Sequence, residues 1–282
     1  MATLTEKAEA FRSLHHGARP LVLPNAWDVP SARLFEDAGF PAIATSSAGI
    51  MVSHGYPDGE RMPRRELLAA VARIADRLSV PLSADIVAGY GGSPEAVART
   101  VEHVMDAGAV GVNLEDLHPS HERLYRVDAQ LRRLEAVRRA AVKRGVPLVI
   151  NARTDAYRHA PGEEEERLRE AIRRASAYRD AGADCVYPMG LSDAGAITAF
   201  VEALRCPVNV MIRPGLPPLS ELDRIGVKRV SFGPAASYAA LGLLRRAARE
   251  ILERGSFELL VDGAINFEEL NRLAVPRPPP AP

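Results

Sequence analysis

Eight short apolar runs, each followed by a longer amphipathic stretch, recur along almost the whole chain and restrict it to a serial β/α architecture. The runs are PLVLPNA from Pro20, PAIATSS from Pro41, VPLSADI from Val80 and VGVNLED from Val110, then VPLVINAR from Val146, ADCVYPM from Ala183, PVNVMI from Pro207 and RVSFGP from Arg229. Most lack polar alternation, as parallel strands buried on both faces do. The stretches between them predict helices over 31–38, 64–78, 94–107, 129–143 and 163–181. The last opens on Glu163–Glu166 and continues with arginines, a charge order that suits the helix dipole. Ser192 or Asp193 can cap the next helix, and Pro234 can start the one reaching Arg254.

Strand–helix units in this number predict an α/β fold, a (β/α)8 TIM-type barrel, and 282 residues accommodate the roughly 250 that such a barrel uses. A doubly wound open sheet is the rival, weakened because no Gly-x-Gly-x-x-Gly turn follows the first strand. Residues 1–255 are assigned to the barrel and 256–282 to an extension. That extension holds an extra helix at Phe267 to Leu273 and the tail PRPPPAP, whose prolines forbid a helix.

Charge and composition remove several function classes. Lys plus Arg number 36 and Asp plus Glu 36, which speaks against a broad nucleic-acid surface. No run of about 18 apolar residues predicts a membrane span. The polar N-terminal segment lacks the apolar centre of a signal peptide, so a cytoplasmic location is expected. Cys185 and Cys206 are too few for a disulfide scaffold and read as packing residues.

The ends of the runs carry the chemistry. Asn25 and Asp28, Ser46 and Ser47, Asp85, Glu115 and Asp116, Asn151, Arg153 and Asp155 all follow or close a strand, while Asn209 lies within one. Asp58 lies in the loop Gly-Tyr-Pro-Asp-Gly. In a barrel, such residues line one mouth, where active sites of this fold lie. Asp58, Asp85 and Glu115 could hold one hard cation, mostly through water, since Mg2+ uses few direct carboxylates. Arg153 could grip a substrate carboxylate, with donors from Ser46 and Ser47, and the set would stabilise the enolate of a 2-oxo acid. The structural alternative is that Asp85 and Glu115 simply pair with Arg153. His15 and His16 are expected to be solvated. His118 and His121 are better placed, in the loop after Glu115, and Gly89-Tyr90-Gly91-Gly92 reads as a tight turn beside the site.

PNAWD at Pro24, PAIATSSAG at Pro41, GYPDGE at Gly55 and SADIVAGYG at Ser83 resemble the isocitrate lyase and phosphoenolpyruvate mutase superfamily. VGVNLED, NARTDAY, AYRDAGADCVY and VSFGP continue the likeness to about residue 240. The resemblance implies a magnesium-binding barrel, with Mn2+ as a substitute, acting on a small 2-oxo or 2-hydroxy carboxylate through an enolate. It implies Asp85 as the principal metal carboxylate, Asp58 and Glu115 acting through water, and Ser46, Ser47 and Arg153 on the substrate. Homo-oligomers, dimers or tetramers, with final helices exchanged between subunits, are also implied.

Three departures narrow it. Val87 stands where many relatives carry a second acid. The loop after Glu115 has neither cysteine nor lysine, which removes the isocitrate and methylisocitrate lyases proper and weakens phosphonate chemistry. Tyr187-Pro188-Met189 stands where some relatives place a histidine. The expected activity is carbon–carbon cleavage of a small 2-oxo or 2-hydroxy (di)carboxylate. Arg153, Glu115, His118, His121 and Tyr90 are the candidate catalytic residues, and Ser46, Ser47, Asn25, Asn209 and Arg153 the candidate substrate contacts. The alternatives are a carbon–phosphorus mutase or hydrolase, using Arg123, Arg126 or Arg213, and a non-catalytic metabolite-binding barrel.

Overall fold

A computed structural model describes residues 2–120 and 123–275. In chain order the elements are α1 (Leu4–Leu14), β1 (Leu21–Leu23), β2 (Asn25–Ala26), α2 (Val29–Asp37), β3 (Ile43–Thr45), α3 (Ser47–Ser53), α4 (Arg64–Ala75) and β4 (Leu82–Asp85). There follow α5 (Pro94–Asp106), β5 (Gly111–Glu115), α6 (Val127–Lys143), β6 (Val149–Thr154), α7 (Ala156–His159), α8 (Glu164–Asp180) and β7 (Cys185–Pro188). The chain continues with α9 (Ala194–Leu204), β8 (Asn209–Met211), α10 (Leu219–Ile225), β9 (Arg229–Ser231), α11 (Ala235–Arg254), α12 (Glu258–Val261) and α13 (Phe267–Ala274).

The strands pair in parallel as β2-β3-β4-β5-β6-β7 and β1-β9-β8, and a Val186–Val208 bridge joins β7 to the start of β8. The first expected strand is split. Pro24 has no N–H for the ladder, so β1 pairs with β9 and β2 pairs with β3, and the ring closes across that break. Eight staves wrapped by α2, α4, α5, α6, α8, α9, α10 and α11 make the expected (β/α)8 barrel.

Local chemistry sets the helix boundaries. Asp28 caps α2 in a reciprocal box with Ser31, and Asp193, not Ser192, accepts from Ala196 N to cap α9. Pro94 opens α5 behind the Ser93 cap. Helix α1 lies across the N-terminal end of the barrel, where Phe11 meets the backbone at Gly111; a Cβ there would stand 2.6 Å from the ring. His15, expected in solvent, is therefore turned inward and buried, while His16 stays exposed.

The chain beyond α11 turns at Gly255, whose φ of 66° suits glycine. Helix α13 then packs against α2, with Leu273 buried and Arg77 Nε donating to Ala274 O at 3.2 Å. The tail PRPPPAP lies outside the described residues. Among the described residues no helix is long and apolar enough to cross a membrane.

Candidate active site

A cavity of about 260 Å3 opens at the C-terminal ends of the strands. Its walls bring together Asn25, Ser46, Ser47, Asp58, Asp85, Arg153 and Asn209 from the expected set. Strand alternation does this: residues two apart on one strand point to the same face, so Asn113 and Glu115, Asn151 and Arg153, and Asn209 and Met211 turn inward together.

Asp85 ends β4 against the start of α3. Its Oδ2 accepts from Ser47 N at 3.1 Å and Ser47 Oγ at 2.7 Å, and its Oδ1 accepts from Asn113 Nδ2 at 3.0 Å. These partners are neutral; the expected alternative of an Asp85–Arg153 pair is not formed. Asp58 stands at the cavity rim, its carboxyl raised by lost hydration and then by the charge of Asp85. Val87, in the place of the second acid, is buried with φ 53°. A β-branched side chain is strained in that left-handed region, at a cost of roughly 1–2 kcal/mol.

Arg153 faces these carboxylates from β6. Its Nε and Nη2 donate to Asp155 at 2.7 and 2.8 Å, and its Nη1 meets Glu115 Oε2 at 2.8 Å. Burial opposes the guanidinium charge, but Glu115 and Asp155 outweigh it and hold Arg153 protonated. Burial likewise pushes the Glu115 carboxyl well up, with Arg153 pulling it back. Glu115 is thus drawn to Arg153 rather than to the Asp58–Asp85 pair.

Behind Arg153 lies a buried polar network. Asp116 Oδ1 accepts from Asp155 N at 2.8 Å; its Oδ2 accepts from Thr154 Oγ1 at 2.8 Å, Tyr178 Oη at 2.7 Å and Arg174 Nη1 at 3.2 Å. Asp116 and Asp155, read in the sequence simply as polar strand ends, together fix the backbone and side chain that aim Arg153.

Other expected residues have different places. Asn25 lines the cavity, yet its Oδ1 accepts from Phe232 N and Gly233 N, both at 2.9 Å, and its Nδ2 donates to Thr45 O. It ties the split first strand to both neighbours. Tyr90 does not line the cavity: its N–H is held by Glu60 at 2.7 Å in the expected tight turn, where Gly89 and Gly91 have positive φ. His118 lies in a separate surface hollow with Arg123 and Arg126, beside the Tyr125 ring. His121 is outside the described residues. Arg213 donates to Gly190 O at 2.6 Å.

The lining also includes Tyr187, noted in the sequence only as standing where some relatives place a histidine, and Arg229, which was missed. Tyr187, on β7, is buried with its Oη 2.9 Å from Met189 Sδ, and Arg229, on β9, is buried in the cavity floor. Both sit at inward positions of short strands, and the period-two pattern of Arg229 and Ser231 was the available signal.

The donor set suits one hard divalent cation of the Mg2+ type. Asp85 and Asp58 repel one another and Arg153 offsets this only in part, a repulsion that a bound cation would relieve. Among the described residues no three His, Cys, Asp or Glu side chains converge on a point, so the hold would rest on one direct carboxylate and water.

Residues 11–252 match the sequence profile of the phosphoenolpyruvate phosphomutase family. The chain belongs to this family. It is 30% identical over 280 residues to the 2-methylisocitrate lyase of Escherichia coli K12, covering 95% of this chain and 92% of the relative. The structure of a candidate lyase/mutase from Burkholderia cenocepacia J2315 is 39% identical, with a TM-score of 0.89 over 95% of this chain and 96% of the other. A phosphonopyruvate hydrolase complex with oxalate and Mg2+ is 26% identical, with a TM-score of 0.83 over 95% and 94%. Family membership makes this chain an enzyme of the phosphomutase and lyase type.

Proposed function

We propose that this phosphomutase-family enzyme is a magnesium-dependent lyase cleaving a carbon–carbon bond of a small 2-oxo or 2-hydroxy dicarboxylate through an enolate. The observation that carries this reading is a charge-balanced guanidinium, Arg153, fixed across one small cavity from Asp85 and Asp58. The volume, about 260 Å3, lies below the range of drug-sized sites and suits a small acid.

Asp85 would hold the metal directly, with Asp58 and Glu115 through water; when bound, the metal supplies positive charge to the developing enolate oxygen. Arg153 keeps two N–H groups beyond those given to Asp155 and Glu115, and these orient the substrate carboxylate. Ser46, whose Oγ accepts from Gly49 N, retains its hydroxyl proton for a substrate oxygen. Tyr187 is the proton donor best placed to quench the enolate. Burial raises its phenol, so it stays protonated, and it lines the cavity where Tyr90 and His118 do not.

The test is a proton NMR time course on small 2-oxo, 2-hydroxy and phosphono acids, with Mg2+ or chelator, for wild type and Asp85→Ala. Magnesium-dependent loss of one diacid, absent in the variant, supports the reading; turnover unaffected by chelator overturns it. Phosphate release from a phosphono acid would establish the second reading, carbon–phosphorus chemistry, which Arg158 at the cavity wall favours. A cytoplasmic homo-oligomer is part of the proposal. Leu252, Phe257, Val261 and Phe267 leave the α11–α13 region apolar and exposed, as a surface covered by a second copy would be.

A further inference from the structure

Arg229 is the least balanced charge in the barrel. Only 2% exposed, it lines the floor of the cavity, and its Nε has no acceptor. Among the described residues no carboxylate lies within ion-pairing distance of it, whereas Arg153 has two. Among the described residues its side-chain hydrogen-bond contact is with His15 of α1, with Nε2 3.5 Å from Nη1. That imidazole cannot balance it. His15 Nδ1 lies 2.8 Å from Phe11 O, so Nδ1 carries the proton and Nε2 offers only a lone pair. A guanidinium buried without an anion is costly, and a cavity large enough for a small ligand adjoins this one.

Two further buried atoms lining the cavity, on β8 and β6, lack partners. Asn209 Nδ2 donates to Ser231 Oγ and Asn151 Nδ2 to Asn113 Oδ1, but the Oδ1 of each asparagine accepts nothing. The cavity floor thus holds a cationic fork and two acceptors, complementary to an anion accompanied by O–H donors.

We propose that Arg229 binds a second carboxylate of the substrate, so that this site selects small diacids over monoacids. This rests on the reading of the cavity as the substrate site. The metal-side carboxylate belongs to Arg153 and the far one to Arg229. One guanidinium balances the single charge of a carboxylate and matches its planar geometry, while a phosphonate would keep a second charge unmatched.

Binding calorimetry on the full chain in excess Mg2+ tests this with lactate and malate, which differ by one carboxylate, and with 2-hydroxy-3-phosphonopropanoate. Wild type is expected to bind malate about tenfold to a hundredfold more tightly than lactate, the worth of a charge-assisted contact. Arg229→Met should abolish that preference, weakening malate far more than lactate. Arg229→Lys, which keeps the charge without the fork, should give an intermediate ratio, and it serves if the methionine variant does not fold. Equal weakening of both acids would assign Arg229 a structural role and overturn the inference. An unchanged malate-to-lactate ratio would do the same, and in both cases the cavity would remain the substrate site. Tighter binding of the phosphonate than of malate would overturn the carboxylate assignment. Failure of wild type to bind any of the three would remove the proposed function, and this inference with it.

Discussion

Arg153 and Asp155, two positions apart at the end of β6, form a two-bonded pair with N–O distances of 2.7 and 2.8 Å. A guanidinium held at one edge is pre-set in direction, which is worth more at a substrate than a freely rotating cation. Asp155→Asn is expected to release one of these bonds and raise KM about tenfold, with a smaller fall in kcat. Steady-state kinetics decides it: a KM equal to that of wild type would mean that Glu115 alone positions Arg153.

Asp85→Ala should abolish magnesium-dependent turnover while the fold is kept. The donors it frees, Ser47 and Asn113, face the cavity, where water can replace the lost carboxylate. Activity assays with far-UV circular dichroism check both halves. Retained turnover would take Asp85 out of the metal role.

Tyr178→Phe acts at a distance. The buried phenol donates to Asp116 Oδ2, and without it that carboxylate is short of one donor. A destabilisation of about 1–3 kcal/mol is expected in urea unfolding. Because Asp116 also accepts from Asp155 N, KM should rise alongside. A stability loss with no kinetic change would confine the network to a structural role.

His15 gives a pH dependence of definite sign. Burial, then the Arg229 charge, lowers its pKa from 6.5 to about 3. Between these values the unfolded chain binds a proton that the folded chain does not. Stability contributed by neutral His15 is therefore present above about 6.5 and lost as pH falls toward 3, on the order of a few kcal/mol. Thermal melts from pH 7 to 4 should show His15→Gln losing less stability than wild type. Parallel curves would refute this.

Much of the architecture was legible because it is local. Apolar runs without alternation, Pro94 and Pro234 at helix starts, and glycines at helix ends act over a few residues, so the barrel could be read in order. The carboxylates at strand ends were equally visible, since an apolar strand closing on Asp85 or Glu115 has no packing explanation. Pairing was not legible. The ion pair that ties Glu115 to Arg153 joins two strands and could not be read from either, and neither could the two backbone amides, of Phe232 and Gly233 just after β9, that occupy Asn25 Oδ1. His118 follows the site in sequence, but its loop carries it into another hollow.

The sequence by itself determined the succession of strands and helices, the mouth at which polar groups collect, and the family of the chain. These depend on residue type and spacing, which the sequence displays directly. Only the tertiary structure decided which charges are balanced. It set Arg153 between two carboxylates, left Asp85 with neutral donors, and buried Arg229 beside a neutral His15 from the far end of the chain. The physical reason is that electrostatic balance depends on distance and burial, and those are settled when strands remote in sequence close into one ring.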